Sequence, residues 1–278
     1  MATVNVAVVQ LAPQLGKVQH NLCACLSGIR GAAATGGELI VLPECATSGY
    51  MLDSKEDARA AAVEIDGPEV GALAGCASDL GVHCLVGVLE RSGSKLYNSA
   101  VLIGPDGVIG AYRKTHLPRG GVDRFVEPGD ELGLFDTSLG RLGVQICYDL
   151  RFPELSRALT AGGARLLLHP TNWPIGARPV AEIVTRARAF DNRVPLVSAN
   201  RYGAESWGEF CGRSQIVSSD GEVLALAPPE GDSIISARVQ LATLDPGAIV
   251  TRPGEYELHL MHDRRPDLYL DSRSRDEE

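Results

Sequence analysis

The sequence lacks both the long apolar runs and the excess of positive charge that mark two large classes of proteins. No apolar stretch approaches the roughly 18 residues needed to cross a bilayer, and the longest are short ones such as 39–42 and 85–89. Acidic residues outnumber basic ones by 35 to 26, a net charge of −9. This balance argues against nucleic acid or an anionic membrane surface as the main partner. We therefore expect neither membrane insertion nor nucleic-acid binding.

The sequence also lacks the patterns of exported, metal-binding and phosphate-binding proteins. Its seven cysteines are scattered without a disulfide rhythm, and its first ten residues contain no secretory signal. The pair Cys23 and Cys25 has no second pair or histidine cluster nearby, as a zinc site requires, and no glycine-rich phosphate loop is present. We expect a cytoplasmic protein with free thiols and no metal or cofactor.

Short β-branched runs alternate with amphipathic segments along most of the chain. Helices are expected between Leu22 and Ala33, over Pro68 to Leu80, from about Pro153, and over Pro179 to Asn192, the last with Ile183, Ala187 and Phe190 along its apolar side. The expected strands are Val4 to Val9, Leu39 to Leu42, His83 to Leu89, Leu96 to Ile103, Val108 to Arg113, Leu142 to Cys147, Arg165 to Leu168 and Val194 to Ala199.

Turn residues then indicate how these strands are connected. Gly104 to Gly107 and Ser219 to Gly221 each separate two apolar runs and are typical of tight hairpin turns, so the sheets should be mixed. No linker rich in proline, glycine or serine divides the chain. We expect one α/β domain over residues 1–270, with helices on the outer faces of β layers, and a mobile polar tail at 271–278.

Three reactive side chains each follow an apolar strand directly. Glu44 lies in LIVLPECATSGY, Lys114 in VIGAYRKTHLP and Cys147 in LGVQICYDLRFPE. In α/β folds, the loops at the carboxyl ends of strands gather side chains into one site. A carboxylate, an ammonium and a thiol could therefore meet although they lie far apart in the chain.

These three groups complement one another chemically. A thiol attacks as thiolate and needs a base, and a carboxylate buried at a strand end has its pKa raised toward neutrality, where it can serve. Acyl transfer to sulfur builds negative charge on the substrate oxygen, which an ammonium would stabilise. Two alternatives stay open: Cys147 could be a buried structural cysteine, and His116 or His169, both at strand ends, could be its base.

The three segments resemble the motifs of the nitrilase superfamily of carbon–nitrogen hydrolases. The resemblance lies in PECATSGY, YRKTHLP and GVQICYDLRFPE, in that order and spacing, and extends from VVQLAP to RRPDLY. It implies a four-layer α-β-β-α sandwich whose subunits pair as homodimers or larger assemblies. It also implies that Glu44 is the general base and Cys147 the nucleophile, and that Lys114 stabilises the tetrahedral intermediate together with the backbone N–H of Tyr148.

The same resemblance points to further residues of the site. Superfamily members often carry a second glutamate between the lysine and the cysteine; this chain offers Asp123 or Glu127 within RGGVDRFVEPGD, where the loop looks shortened. HPTNWP resembles the loop of aliphatic amidases that walls the acyl pocket, which makes Asn172 and Trp173 candidate pocket residues. Tyr50 is a further candidate for the wall.

The resemblance favours an amide as substrate. CYDLRFPE is similar to amidases and omega-amidases, so we expect a small aliphatic carboxamide to be hydrolysed to acid and ammonia through a cysteine thioester. An N-carbamoyl amino acid hydrolase or an omega-amidase would use the same triad, with Arg151, Arg178 or Arg201 holding the substrate carboxylate. More distant alternatives are a non-catalytic binding protein on this fold and a redox-sensing role for Cys147.

Overall fold

The computed structural model describes residues 2–243 and 248–269, and two six-stranded sheets form its centre. The helices are α1 (Val18–Ala34), α2 (Lys55–Ala61), α3 (Pro68–Leu80), α4 (Pro153–Ala161) and α5 (Thr185–Asn192). The strands are β1 (Thr3–Gln10), β2 (Leu39–Val41), β3 (His83–Ser92), β4 (Lys95–Gly104), β5 (Gly107–Arg113), β6 (Gly133–Thr137), β7 (Gly140–Val144), β8 (Leu166–Thr171), β9 (Leu196–Asn200), β10 (Tyr202–Glu205), β11 (Gly208–Cys211), β12 (Gln215–Val217), β13 (Val223–Leu226), β14 (Ser233–Gln240), β15 (Ala248–Arg252) and β16 (Tyr256–His259).

Both large sheets are mixed, as the hairpin turns predict. The first has the order β14-β1-β2-β3-β4-β5 and the second β13-β12-β9-β8-β7-β6. In each sheet, three neighbouring central strands run parallel and are joined by helical crossovers: β1, β2 and β3 in the first, β7, β8 and β9 in the second. The outer strands return antiparallel, and the two predicted turns join β4 to β5 and β12 to β13.

The alternation of side chains along the strands creates four layers. In β1, Val6 and Val8 pack in the cluster that includes Leu142 and Leu167 of the second sheet, whereas Val9 packs outward with Ile29 of α1. Helices α1 and α3 cover the outer face of the first sheet, and α4 and α5 cover the second. The predicted α-β-β-α sandwich is confirmed.

The last predicted helix forms, but its apolar side is not the buried side. A π-helical turn (Val180–Val184) leads into α5, and Ile183 and Phe190 are 64% and 54% exposed. The buried positions include Val180 and, spaced four residues apart, Ala181, Thr185 and Ala189. The small side chains at the last three positions let the helix lie close to the sheet, so Ile183 and Phe190 face outward.

The structure tests some of the remaining expectations and leaves others open. All seven cysteines are free, as predicted, and Cys23 is exposed. Within residues 2–243 and 248–269, none of the helices has the length and apolar character needed to cross a bilayer. The expected tail at 271–278 lies outside the described residues, and the cytoplasmic location and the domain limits stay predictions.

Candidate active site

The ends of three strands bring the three reactive side chains to one place between the sheets. β2 leads to Glu44, β5 to Lys114 and β7 to Cys147. Glu44 and Lys114 are fully buried, and Cys147, 8% exposed, lines a cavity of about 470 Å³. A larger groove of about 700 Å³ lies elsewhere on the surface, and none of the three lines it.

A closed network of hydrogen bonds surrounds the Lys114 ammonium. Its Nζ donates to Glu44 Oε1 at 2.8 Å and to Asp123 Oδ2 at 2.5 Å. Asn98 Nδ2 donates to the same two carboxylates, to Glu44 Oε1 at 2.7 Å and Asp123 Oδ1 at 2.8 Å. The Tyr50 hydroxyl donates to Asp123 Oδ2 at 2.8 Å. Glu44 Oε2, by contrast, has no hydrogen-bond partner within the part of the chain that the structure describes.

Burial and neighbouring charges shift the pKa of both ionisable partners in this network. Burial raises the pKa of Glu44; the Lys114 ammonium opposes this rise, and the negative charge of Asp123 adds to it. Burial alone would lower the pKa of Lys114, but Asp123 and Glu44 outweigh it and raise that pKa well above its usual value. The lysine therefore remains an ammonium, while Glu44 is a stronger base than an exposed glutamate.

Cys147 begins a short 3-10 helix (Cys147–Arg151) that follows β7 after a two-residue connection. Its φ is +46°, in the left-handed region that side chains other than glycine adopt at a cost of about 1–2 kcal/mol. Burial raises the pKa of the thiol, the charge of Glu44 raises it further, and Lys114 opposes the rise. The resting thiol is therefore protonated, and a base must take its proton during any attack.

The two histidines proposed as alternative bases bond to other groups. His116 Nδ1 lies 2.8 Å from Asp149 Oδ1, and Asp149 also accepts from the Tyr112 hydroxyl at 2.8 Å. His169 Nε2 lies 3.1 Å from the backbone oxygen of Cys147, and burial lowers its pKa to about 4. His169 is thus a neutral donor to the backbone of Cys147, and neither ring is bonded to the thiol.

Of the two carboxylates predicted for the second position, Asp123 is the one that contacts Lys114, and Glu127 does not. Asp123 lies in a 3-10 helix (Gly121–Arg124) whose Val122 N–H donates to the Tyr50 carbonyl at 2.8 Å. That bond holds Asp123 against Lys114. Glu127 lies after this helix, its backbone N–H donates to the Leu96 carbonyl, and it is exposed outside the cavity lining.

The other candidate pocket residues all line the cavity that contains Cys147. They are Tyr50, Tyr148, Asn172 and Trp173. Asn172 Nδ2 also donates to the backbone oxygen of Glu44 at 2.9 Å, so it orients the segment that carries the carboxylate. Trp173 is buried against His169, with ring centroids 4.9 Å apart.

The three candidate arginines have three different environments. Arg201 is buried and donates to Glu205 at 2.6 Å, so its charge is already paired. Arg178 pairs with Glu182 at 2.7 Å and lines a neighbouring groove. Arg151 lines the active-site cavity, and its guanidinium has no bonded partner among the described residues.

Sequence reasoning missed Asn98 and Asp149. Asn98 bridges the two carboxylates, and Asp149 accepts from the Ile146 N–H at 2.8 Å and from the His116 N–H at 3.0 Å, which ties the Cys147 turn to the segment after Lys114. A signal existed for Asn98, because an amide in the middle of an otherwise apolar strand must find a buried partner. Nothing in the local pattern distinguished Asp149 from a helix-capping carboxylate.

The sequence of this chain is similar to proteins of one family. The model of the family described as carbon–nitrogen hydrolase matches residues 5–248. A protein named nitrilase from Pyrococcus abyssi is 38% identical over 86% of this chain and 90% of its own length. The omega-amidase NIT2 of Xenopus tropicalis is 33% identical over 97% of this chain and 98% of its own length.

A solved structure also matches nearly the whole chain. The NitN amidase from Nesterenkonia sp. AN1 superposes with a TM-score of 0.78 and 26% sequence identity, over 95% of this chain and 98% of that one. A mutant of that amidase carries the acetamide moiety of fluoroacetamide covalently attached at its active-site cysteine.

Asn98→Ala should shift the pH dependence of Cys147 reactivity. The hydrogen bond from Asn98 lowers the pKa of Glu44, so its loss leaves that carboxylate protonated to higher pH. We expect the acid limb of Cys147 alkylation by iodoacetamide to move to higher pH. On that limb the rate should fall about tenfold or more, since a hydrogen bond to a charged group contributes about 1.5–3 kcal/mol.

Peptide mass spectrometry measures this rate, and the exposed Cys23 reports ordinary thiol reactivity in the same sample. Asn192→Ala is the matched control, because Asn192 is also a buried amide but donates to Arg188 in α5. A fall in rate that is the same at every pH, or equal in both variants, would show that Asn98 has only a structural role.

Proposed function

Because the chain belongs to the carbon–nitrogen hydrolase family, we propose that it hydrolyses a linear carboxamide to the acid and ammonia through a thioester on Cys147. The observation that carries this proposal is that the two carboxylate oxygens of Glu44, beside the thiol, differ in their hydrogen bonds. Its Oε1 is held by Lys114 and Asn98, while its Oε2 is buried and has no partner among the described residues. A carboxylate held in this way is suited to exchange protons with a neighbouring nucleophile.

In the first half of the proposed reaction, Glu44 takes the thiol proton as the sulfur of Cys147 attacks the amide carbon. A C–S bond forms, and the carbonyl electron pair moves onto oxygen. Lys114 has three N–H donors, of which two bond to carboxylates, so the third is available to this oxygen within the described network. The backbone N–H of Tyr148, in the first turn of its helix, is the second donor.

The tetrahedral intermediate then collapses with cleavage of the C–N bond. Glu44 returns the proton to the leaving nitrogen, ammonia departs, and the acyl group remains on sulfur. In the second half, Glu44 takes a proton from water as its oxygen attacks the thioester carbon. The C–S bond breaks, the proton returns to sulfur, and the acid leaves. Asp123 keeps Lys114 charged throughout, because its carboxylate raises the pKa of the lysine.

Cys147→Ala should abolish ammonia release, with a fall of about a thousandfold or more, because the covalent step has no substitute nucleophile. Wild-type protein, acid-quenched during turnover of a panel of short amides, should show a mass increase equal to the acyl group on the Cys147 peptide. Intact-protein and peptide mass spectrometry, with ammonia assayed in parallel, make the measurement.

Cys84→Ala is the matched control, since Cys84 is a buried thiol in β3 outside the cavity. It should retain both ammonia release and the acyl adduct. If folded wild-type protein releases no ammonia from any amide or carbamoyl compound tested, the proposal fails, and a binding protein on a hydrolase fold becomes the better hypothesis.

A second candidate is an amide that carries a carboxylate at its far end, as an omega-amidase or an N-carbamoyl amino acid hydrolase would require. Arg151 supports it, because its guanidinium borders the cavity without a bonded partner among the described residues. An unpaired guanidinium binds a carboxylate through two parallel hydrogen bonds. Arg201 and Arg178 do not support it, since both are paired with glutamates.

Arg151→Ala should therefore separate the two candidates. For succinamic acid we expect kcat/KM to fall about 10- to 100-fold, since a charge-assisted hydrogen bond contributes about 1.5–3 kcal/mol. For butanamide, the neutral amide of equal chain length, the change should stay within about threefold. Arg178→Ala, which removes an exposed arginine from the neighbouring groove, should affect neither. Equal loss on both amides would argue that Arg151 does not select for charge.

We further propose that the protein acts as a homodimer or larger assembly. Ile183 and Phe190 form an exposed apolar face at α5, and such faces mark contacts between proteins. Phe190→Glu should reduce the mass measured by light scattering to that of one 29.5 kDa chain. Leu224→Glu, at a less exposed apolar position on β13, should leave it unchanged. A wild-type protein that is already monomeric would refute the proposal.

A further inference from the structure

A tryptophan stands at the mouth of the active-site cavity, on the tip of the hairpin formed by β10 and β11. Trp207 is 72% exposed, the highest value among the large apolar side chains that the structure describes. It lines the cavity together with Gly208 and Glu209 of the same hairpin. Burial of this aromatic surface would be strongly favourable, so we infer that an apolar group of a ligand covers the indole.

A buried ion pair spans the first strand of this hairpin, from Arg201 just before β10 to Glu205 at its end beside the turn. Arg201 donates to Glu205 Oε1 at 2.6 Å, and Glu205 Oε2 accepts the backbone N–H groups of Tyr50 and Met51, each at 2.8 Å. The hairpin is therefore bonded to the segment that carries Tyr50, whose hydroxyl reaches Asp123. The position of the hairpin is thus coupled to the Lys114 network at the base of the cavity.

The turn and the second strand of the hairpin are also held in place. A Cβ at Gly208 would lie 2.4 Å from Met51 Cε, so any larger residue there would force the end of the Met51 side chain to move. Ser206, the first residue of the two-residue turn, has a φ of +51°, in the left-handed region. On the far strand, the Cys211 N–H donates to the Trp173 carbonyl at 3.0 Å. These contacts keep the backbone of Trp207 beside the cavity rather than leaving it on a free loop.

The cavity itself has more room than a short amide needs. Its volume of about 470 Å³ lies in the range of about 300–1,000 Å³ that accommodates drug-sized ligands. Its lining beyond Cys147 is mainly apolar and includes Trp173, Ile175 and Val180. The charged residues at the lining, Arg151 and Glu209, are opposite in sign, so the mouth carries no net charge from them.

We propose that Trp207 forms the outer wall of a distal acyl subsite that binds a flat apolar group, an aromatic ring above all, on the acyl chain of the amide. The proposal rests on the amide hydrolysis proposed above and extends it to the acyl part of the substrate. In this subsite the indole stacks on the aromatic ring, while the carbonyl group lies at Cys147. Trp207 is then a specificity residue, and it takes no part in the proton transfers.

A series of neutral amides tests the subsite without involving the charge of Arg151. Wild type should prefer 3-phenylpropanamide to butanamide and acetamide. In Trp207→Ala, kcat/KM for 3-phenylpropanamide should fall about tenfold, mainly through a higher KM, because stacking is lost. The value for acetamide should change less than about twofold, and Trp207→Phe should recover most of the loss. Since Trp207 is exposed, the alanine variant should fold normally.

The matched control is Tyr256→Ala, which removes another exposed aromatic side chain that is not part of the cavity lining. It should change neither substrate's kinetics. Equal losses on acetamide and 3-phenylpropanamide would mean that Trp207 only supports the hairpin. Unchanged kinetics on both would mean that the indole faces solvent or another protein copy. Either result overturns the subsite.

A binding measurement separates failure of the subsite from failure of the proposed function. 3-Phenylpropanoate, the acid that the reaction would release, should slow alkylation of Cys147 by iodoacetamide in wild type, and much less in Trp207→Ala. If no amide is hydrolysed but this protection depends on Trp207, the subsite stands and the hydrolase proposal fails. If protection is absent or equal in both proteins, the subsite is refuted whatever the kinetics show.

Discussion

The site depends on one buried ammonium held between two carboxylates. Lys114 has no exposed surface, and the cost of removing its charge from water is several kcal/mol unless that charge is paired and fully bonded. Glu44 and Asp123 provide the pairing, and Asn98 donates to both, so the two like charges share a neutral bridge. One carboxylate oxygen, Glu44 Oε2, is left over among the described groups, and it is the atom that the proposed chemistry requires.

The sandwich matters because the two halves of the site come from different sheets. In the first sheet, Asn98 lies within β4, and Glu44 and Lys114 follow β2 and β5, whereas Cys147 follows β7 of the second sheet. The packing between the sheets therefore sets the separation of Glu44 and Cys147. Asp149 reinforces this arrangement, since it bonds both to the backbone at Ile146, just before Cys147, and to the segment that follows Lys114. The reactivity of Cys147 therefore depends on how the two sheets pack, because that packing fixes its position relative to Glu44.

Local sequence patterns predict the helices, strands and turns well, but they predict poorly which side chains these elements bury or bring into contact. The apolar strands, the hairpin turns at Gly104 to Gly107 and Ser219 to Gly221, and the helices all form, because each depends on residues close together in the chain. The predicted apolar side of the last helix is not the side that packs on the sheet. The small side chains at 181, 185 and 189 are buried there instead. Glu127 and Asp123 were equivalent by spacing, and only the contact of Gly121–Arg124 with the Tyr50 backbone separated them.

The sequence alone determined which residues are proposed to carry the chemistry and which elements lead to them. A glutamate, a lysine and a cysteine at the ends of apolar strands, within motifs of a known superfamily, left few alternatives for the fold or for the reaction class. Only the tertiary structure decided the protonation and availability of those groups. The raised pKa of Cys147 and the lowered pKa of His169 depend on burial and on groups distant in the chain. The fold also buries the Arg201–Glu205 ion pair and leaves the Arg151 guanidinium at the cavity without a bonded partner among the described residues. Burial and long-range charge act through space, and a local sequence pattern carries no record of which distant side chains will meet.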